Sequence, residues 1–167
     1  DFHRRFEPRT LRLSPAHDRL TLNDWRGANL ADIVAGELSA HEMPGAISVS
    51  GPDIIFPPRV SLSLSMALHE LATNALKYGA LSVAGGRVEI RWQVQRERDA
   101  PFPAGIEMEW KESGGPTVQA PSREGFGSRL LRVTATELKG TLVVNWDSSG
   151  LEWKLHFPLG NYETPAN

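Results

Sequence analysis

From residue 59 onward the chain alternates between two periodicities. Leu64, Leu68, Leu71 and Ala75 recur at three- and four-residue spacing. At 100° per residue they fall within an arc of about 60°, the apolar stripe of a helix packed on one side. The spacing predicts a helix over Arg59–Tyr78. "GGRVEIRWQVQ" then switches to strict alternation, with Val88, Ile90, Trp92 and Val94 on one side. "GIEMEWKES" does the same through Ile106, Met108 and Trp110. A period of two is that of a half-buried strand. "RLLRVTATELKG" returns to helical spacing and stops at Gly140, a residue type common just past a helix end. "TLVVNWDS" and "LEWKLHFPL" read as a strand pair across "SSG".

Earlier in the chain the signals are shorter. Residues 2–23 show helical spacing through Phe2, Phe6, Leu13 and Leu20, interrupted by Pro8 and Pro15. "NDWRGAN" (23–29) is turn-rich and reads as a hinge. Asn29 is placed to cap a helix over 30–41 carrying Leu30, Ile33, Val34, Glu37 and Leu38, and "MPG" ends it. "AISVSGPDIIFPP" offers two short strands around a Gly-Pro turn. The stretch from 113 to 128 is rich in Gly, Pro and Ser, and loops of about 16 residues are usually functional or mobile. The order of elements predicts an α+β fold: a two-layer α/β sandwich, one mixed sheet covered by helices on one face, with an N-terminal helical appendage. The chain divides into 1–28 (appendage and linker), 29–160 (the sandwich) and a frayed tail over 161–167.

Composition narrows the classes. Apolar residues make up 40% and charged residues 23%, as in an ordinary globular domain. No run of about 18 apolar residues is present, so no transmembrane helix and no membrane contact are expected. The start, "DFHRRFEPR", is charged, lacks the apolar core of a signal peptide and begins mid-pattern without Met. A fragment of a longer, cytoplasmic protein is expected. With no cysteine, disulfides, thiolate nucleophiles and thiolate metal sites are excluded. A net charge of -2 argues against a nucleic-acid-binding face.

Candidate chemistry starts on the long helix. Glu70, Asn74 and Lys77 share an arc about as wide as the apolar stripe and roughly 120° from it. The spacings i,i+4 and i,i+3 make their side chains neighbours. A solvated face is the plain reading. Against it, Asn is a poor residue inside a helix, and Arg59 and His69 are the helix's only other charged or titratable groups before Tyr78. A carboxylate, an amide oxygen and an ammonium in one file suit a hydrated Mg²⁺ and a phosphate chain. Asn74 would be a direct ligand, Glu70 would hold a metal water or orient a nucleophile, and Lys77 would pair with phosphate.

Two glycine clusters follow. "EGFGSRLL" places Gly125 and Gly127 just before a helix, flanked by Arg123 and Arg129. Glycines there let backbone N–H groups approach an anion, although a tight turn and cap would serve equally well. Neither a dinucleotide fingerprint nor a P-loop is present. "WKESGGP" sets Glu112 at a strand end before Gly114 and Gly115. Such a carboxylate can accept a hydrogen bond from an exocyclic amine while the glycines let a flat base lie close. A charged strand end before a turn is the simpler alternative.

Taken together, "HELATNALKYG", "WKESGGP" and "REGFGSRLL" resemble the N box and two glycine boxes of the ATP-binding domain shared by gyrase, the Hsp90 chaperones, sensor histidine kinases and the mismatch-repair MutL proteins. More closely, the chain resembles the HWE histidine kinases of bacterial two-component systems, named for a His in the N box (His69) and a Trp-x-Glu in the first glycine box (Trp110 and Glu112). The likeness covers nearly the whole chain, and "FHRRFEPRTLRLSPAHDRLTLNDWRGANLADIV" resembles the end of that family's dimerisation and phosphotransfer helices. It implies ATP and Mg²⁺ as ligands. It implies that Asn74 coordinates Mg²⁺, that Glu70 lies beside the metal or polarises the attacking group, that Lys77 reaches phosphate and that Tyr78 lies near the nucleotide. Glu112 would take the place of the Asp that reads the adenine amine, with Gly114 and Gly115 giving the base room. Gly125, Phe126, Gly127 and Ser128 would shape the phosphate-side loop, and 115–124, with Arg123, would form a mobile lid. His69 would either neighbour the nucleotide site or be a half-buried structural histidine.

The implied reaction is γ-phosphoryl transfer from ATP to a histidine, then relay to an Asp of a response regulator receiver domain. Other implied partners are the phosphoacceptor helix of the full-length kinase and a second copy of the chain. One departure matters: the family's acceptor motif, resembling H-R-x-K-N, does not occur, and His3, His17, His41 and His156 lack its context. The acceptor is therefore expected outside this fragment. Two alternatives stay open, a serine kinase and anti-sigma factor on the same nucleotide fold, and a scaffold that has lost catalysis.

Overall fold

A computed structural model describes residues 27–39, 45–96, 103–120, 125–158 and 160. The expected helix over 2–23 and Arg123 lie outside them. The elements are β1 (Ala28–Asn29), α1 (Leu30–Leu38), β2 (Ile47–Ser50), β3 (Ile55–Phe56), α2 (Pro58–Lys77), a 3₁₀ turn (Ala80–Ser82), β4 (Arg87–Arg96), β5 (Pro103–Ser113), α3 (Phe126–Glu137), β6 (Thr141–Asp147) and β7 (Gly150–Pro158). Five strands form one sheet in the order β2-β4-β5-β7-β6. β2 runs parallel to β4 and every other pair is antiparallel, so the sheet is mixed as expected.

Alternation along the strands decides the two faces. Val88, Ile90 and Trp92 of β4 are buried, as are Ile106, Met108 and Trp110 of β5 and Trp153, Leu155 and Phe157 of β7. Register sets them side by side: Ile90 lies opposite Trp110, and Trp110 opposite Trp153. The helices lie over this apolar face. The other face carries an ionic ladder in which Arg91 Nη2 sits 3.0 Å from Glu109 Oε2, and Lys154 Nζ 3.1 Å from Glu109 Oε1 and 3.3 Å from Glu152 Oε1. Exposed pairs of this kind contribute little each. They mark the face that water, rather than a second layer, covers.

Each helix follows from local chemistry. Asn29 caps α1, its Oδ1 accepting the Ala31 N–H at 3.0 Å. α2 begins with Pro58 in the first turn, where a missing N–H costs nothing. Leu64, Leu68, Leu71 and Ala75 are buried as their spacing requires, joined by Ala67, Ala72 and two serines, Ser61 and Ser65. Ser61 Oγ is satisfied by the Phe56 carbonyl at 3.1 Å. Phe56 in turn packs on Phe157, ring centroids 5.9 Å apart, which ties the helical layer to β7.

Four expectations are corrected. β2 and β3 do not pair with each other: β2 joins β4, and β3 pairs with β1 in a separate two-stranded piece. The "SGPD" stretch is a corner between layers, because Trp92 fills the space above Gly51 and donates its indole N–H to the Pro52 carbonyl at 2.7 Å. α1 ends at Leu38, and 40–44 lie outside the described residues. α3 starts three residues earlier than its apolar spacing suggests, at Phe126, so Gly127 sits inside the first helical turn instead of before it. Its far end is closed by Lys139, which takes the left-handed conformation (φ 52°) expected of Gly140. Gly140 instead presses on β7, where a Cβ would meet the His156 carbonyl oxygen at 2.5 Å.

Candidate functional site

The helical face of α2 that carries Glu70 and Asn74 looks toward the start of α3. Both side chains are half-buried. A Cβ on Gly127 would lie 2.7 Å from Glu70 Oε1 and 3.1 Å from Asn74 Nδ2. Without a side chain at Gly127, the first turn of α3 seats on this pair and neither side chain has to shift. Gly125 is the N-cap and offers no side-chain oxygen, so the N–H groups at this helix start are left for another acceptor. Among the described residues the side chains of Glu70, Asn74 and Lys77 make no hydrogen bond or ion pair with one another or with neighbours. Lys77 is the last residue of α2 and is exposed, as is Tyr78 (75%) at the helix end. Phe126 is exposed (74%) at the start of α3, and Ser128 is half-buried one turn in.

The second half of the site is built around Glu112. This carboxylate at the end of β5 is buried (4% exposed), and it is held from two sides. The Ala80 backbone N–H donates to Oε2 at 2.8 Å, and the Trp110 indole N–H donates to Oε1 at 3.1 Å. Burial pushes the carboxyl above its ordinary value, and the two donors pull back toward the ionised form. Gly79 makes this approach feasible, since a Cβ there would lie 2.1 Å from Glu112 Oε2. Gly79 is anchored in turn by α2, its N–H donating to the Asn74 carbonyl at 3.0 Å. After β5 the chain turns back over the same place. Gly114 adopts φ 68°, a conformation open chiefly to glycine, and a Cβ on Gly115 would lie 2.5 Å from Ala80 Cα.

The structure therefore brings together Glu70, Asn74 and Gly127 at one end, and Glu112, Gly114 and Gly115 at the other. Asn74 joins them, its side chain facing α3 and its carbonyl holding Gly79. His69 is not part of this assembly. It lies on another flank of α2, where its Nδ1 sits 3.1 Å from Glu37 Oε2 of α1. Glu37 is buried, and its other oxygen accepts a short hydrogen bond from Ser65. His69 thus contacts α1 through Glu37, but its ring is largely exposed, unlike the half-buried histidine expected.

Two participants, Gly79 and the Ala80 N–H, were not singled out from the sequence, nor was Glu37, the partner of His69. Glu37 did leave a signal. It occupies an apolar position in the α1 stripe, and a buried carboxylate calls for partners. Gly79 closes the "HELATNALKYG" stretch but reads there only as a turn residue.

Among the described residues no three His, Asp or Glu side chains gather with the spacing of a metal cage. Asn74 and Glu70 are two oxygen donors side by side. That set fits Mg²⁺, which keeps several waters and shares phosphate oxygens instead of demanding an all-protein shell.

Comparison with known proteins bears on this geometry. Residues 1–53 match the family model for HWE histidine kinases. The chain is 42% identical over 152 residues to the blue-light-activated histidine kinase of Brucella ovis, an alignment covering 89% of this chain and 30% of that protein. The chain thus spans under a third of the length of this relative. Among solved structures, the histidine kinase domain of the Erythrobacter litoralis blue-light activated kinase EL346 superposes with a TM-score of 0.65 at 19% identity, covering 86% of this chain and 70% of that one. The mycobacterial sensor histidine kinase MprB gives 0.58 at 16% identity, covering 78% and 96%. These likenesses establish the fold as that of histidine kinase catalytic domains.

Proposed function

The chain belongs to the HWE histidine kinases, and from that premise we propose that residues 29–160 are the ATP-binding catalytic domain of a two-component sensor kinase. Residues 1–28 are assigned to the end of the dimerisation and phosphotransfer helices and the linker, and 161–167 to a tail. The reaction is transfer of the ATP γ-phosphate to a histidine imidazole of the full-length protein, followed by relay to an Asp of a response regulator. The setting is cytoplasmic; no helix among the described residues is long and apolar enough to cross a membrane.

The observation that carries this reading is the convergence of Glu70, Asn74 and Gly127, with Glu112 fixed beside the end of the same helix through Gly79 and Ala80. Asn74 and Glu70 would hold Mg²⁺, which when bound neutralises phosphate charge. Lys77 adds a point charge toward phosphate. The N–H groups at the start of α3, left without a side-chain cap, would offer donors to the same anion. Glu112 keeps acceptor capacity beyond its two protein donors, because a carboxylate offers about four lone-pair sites. That capacity suits the exocyclic amine of adenine, and the missing Cβ atoms at Gly114 and Gly115 let the chain after β5 close on Gly85 and Ala80 beside it. The protein's part is positioning and charge stabilisation, the terms that dominate phosphoryl transfer.

A thermal shift tests the reading. With Mg²⁺, an ATP analogue at a hundred times its dissociation constant stabilises a binder by about 2.7 kcal/mol. GTP at the same concentration should shift the melting temperature much less. Equal shifts with both nucleotides would remove Glu112 from base recognition, and no shift with either would favour a scaffold. Acid-labile phosphohistidine formed on this chain alone would overturn the placement of the acceptor outside it.

A further inference from the structure

The sheet ends in two very different edges. β2 is four residues long and runs straight into Gly51-Pro52, which cannot extend a ladder. β6, at the opposite edge, has seven residues, "TLVVNWD", with no Lys, Arg, Pro or bulge, and its single charge is Asp147 at the end. Long uncharged edges without such guards are templates for pairing with another strand.

The hairpin fixes which backbone groups are free. Asp147 pairs with Gly150 across a two-residue turn, which makes them a pair that exchanges both hydrogen bonds. Counting back by twos, Asn145, Val143 and Thr141 also bond to β7. Leu142, Val144 and Trp146 then point their N–H and C=O groups outward, and among the described residues these outward groups have no partner. Val143 (56% exposed) and Val144 (37%) leave the strand apolar on both faces.

We propose that β6 pairs antiparallel with β6 of a second copy of this chain, about a two-fold axis through Val144. The strand is self-complementary in that register. Val144 faces Val144 on the axis, and Leu142 faces Trp146 on either side. Each is a pair whose outward N–H and C=O groups meet. An axis perpendicular to the sheet keeps the apolar face of one copy continuous with that of the other, so the half-covered Leu142, Val144 and Trp146 cover each other. On the outer face Thr141 meets Asp147 and Val143 meets Asn145, with no like charges opposed. The result is one continuous ten-stranded sheet, formed without use of the nucleotide site.

Sedimentation of this chain over a range of concentrations, on wild type and Val144→Pro, tests the pairing. The Val144 N–H points away from β7, so proline removes an outward donor and spares the hairpin. The expected result is a wild-type monomer–dimer equilibrium that Val144→Pro weakens by at least tenfold. Val144→Lys, which keeps the N–H but sets two cations together on the axis, should weaken it likewise. Hydrogen exchange at Leu142, Val144 and Trp146 should slow as wild-type protein is concentrated. A wild type that stays monomeric throughout, or a dimer indifferent to both substitutions, overturns the proposal; the second result would place the dimer contact elsewhere.

Discussion

Two flanks of α2, one residue apart in sequence, have opposite character. On the flank toward α1, His69 and Ser65 close on the buried carboxylate of Glu37, and both carboxylate oxygens are engaged. On the flank toward α3, Glu70 and Asn74 lie against Gly127, and their polar side-chain atoms make no bond among the described residues. A satisfied buried network rigidifies, whereas a half-buried carboxylate and amide left open are a cost to the fold. The difference teaches how one helix is divided. One flank is closed on a buried carboxylate of α1, and the other is the flank to which the proposed function assigns the ligand. Glu112 shows a third solution. It is buried like Glu37, yet its two donors are a backbone N–H just past α2 and the indole of its own strand.

This contrast can be broken by substitution, starting with the closed flank. Glu37→Ala leaves Ser65 and His69 without their acceptor and opens a gap between α1 and α2. It should destabilise the domain by about 2–4 kcal/mol, read from chemical denaturation, with nucleotide affinity of the folded fraction changed little. A loss of affinity at unchanged stability would give the bracket a direct part in binding.

Glu112→Gln sharpens the comparison, since it should move both readouts. The amide replaces one acceptor with a donor that faces either the Ala80 N–H or the Trp110 N–H. A cost of about 1–3 kcal/mol in stability is expected, together with eroded preference for ATP over GTP in competition binding. Stability and selectivity both at wild-type level would show that neither donor depends on the charge.

On the open flank, Gly127→Ala adds a methyl against Glu70 and Asn74, whose flexible ends can shift aside. Overpacking here should cost about 1 kcal/mol or less in stability but weaken Mg²⁺–nucleotide binding by roughly tenfold, the equivalent of about 1.4 kcal/mol. Calorimetry showing unchanged affinity would mean that α3 does not close over the ligand.

The smallest effect is in pH. Burial raises the Glu112 carboxyl above its ordinary value of 4.5 in the folded state. Between the ordinary value and the raised one the native state binds more protons than the unfolded chain. The contribution of Glu112 to stability is therefore greatest below about pH 4.5 and falls as pH rises through that window. Denaturation midpoints measured across the window should show this fall in wild type and lack it in Glu112→Gln. A parallel dependence in both would assign it to other groups.

The fold was legible wherever periodicity was long. α2, β4, β5 and β7 each carry enough turns or alternations to declare their period, and the apolar stripe Leu64, Leu68, Leu71, Ala75 lies in the core as read. Short elements hid their partners. Nothing in "ISVS" or "IF" says that one joins β4 and the other β1, because pairing partners are set by tertiary packing. The early start of α3 was masked by its glycines, which signal a loop although Gly127 is there to let the helix touch α2. At the site, Glu70, Asn74 and Glu112 could be picked out by residue type and position, and the structure places Glu70 and Asn74 together on one flank of α2. The company they keep did not show, since the contacts of Gly79 and Ala80 with Glu112 join residues 32 or more positions apart.

The measurement closest to the central claim is calorimetric binding of a non-hydrolysable ATP analogue, with and without Mg²⁺, to wild type and Asn74→Ala. The account predicts Mg²⁺-dependent binding in wild type, lost by tenfold or more in Asn74→Ala, roughly 1.4 kcal/mol or greater, while the nucleotide-free melting temperature barely moves. Equal Mg²⁺-dependent binding by the two proteins would contradict it, and would show that the open flank of α2 is not where metal and phosphate are held.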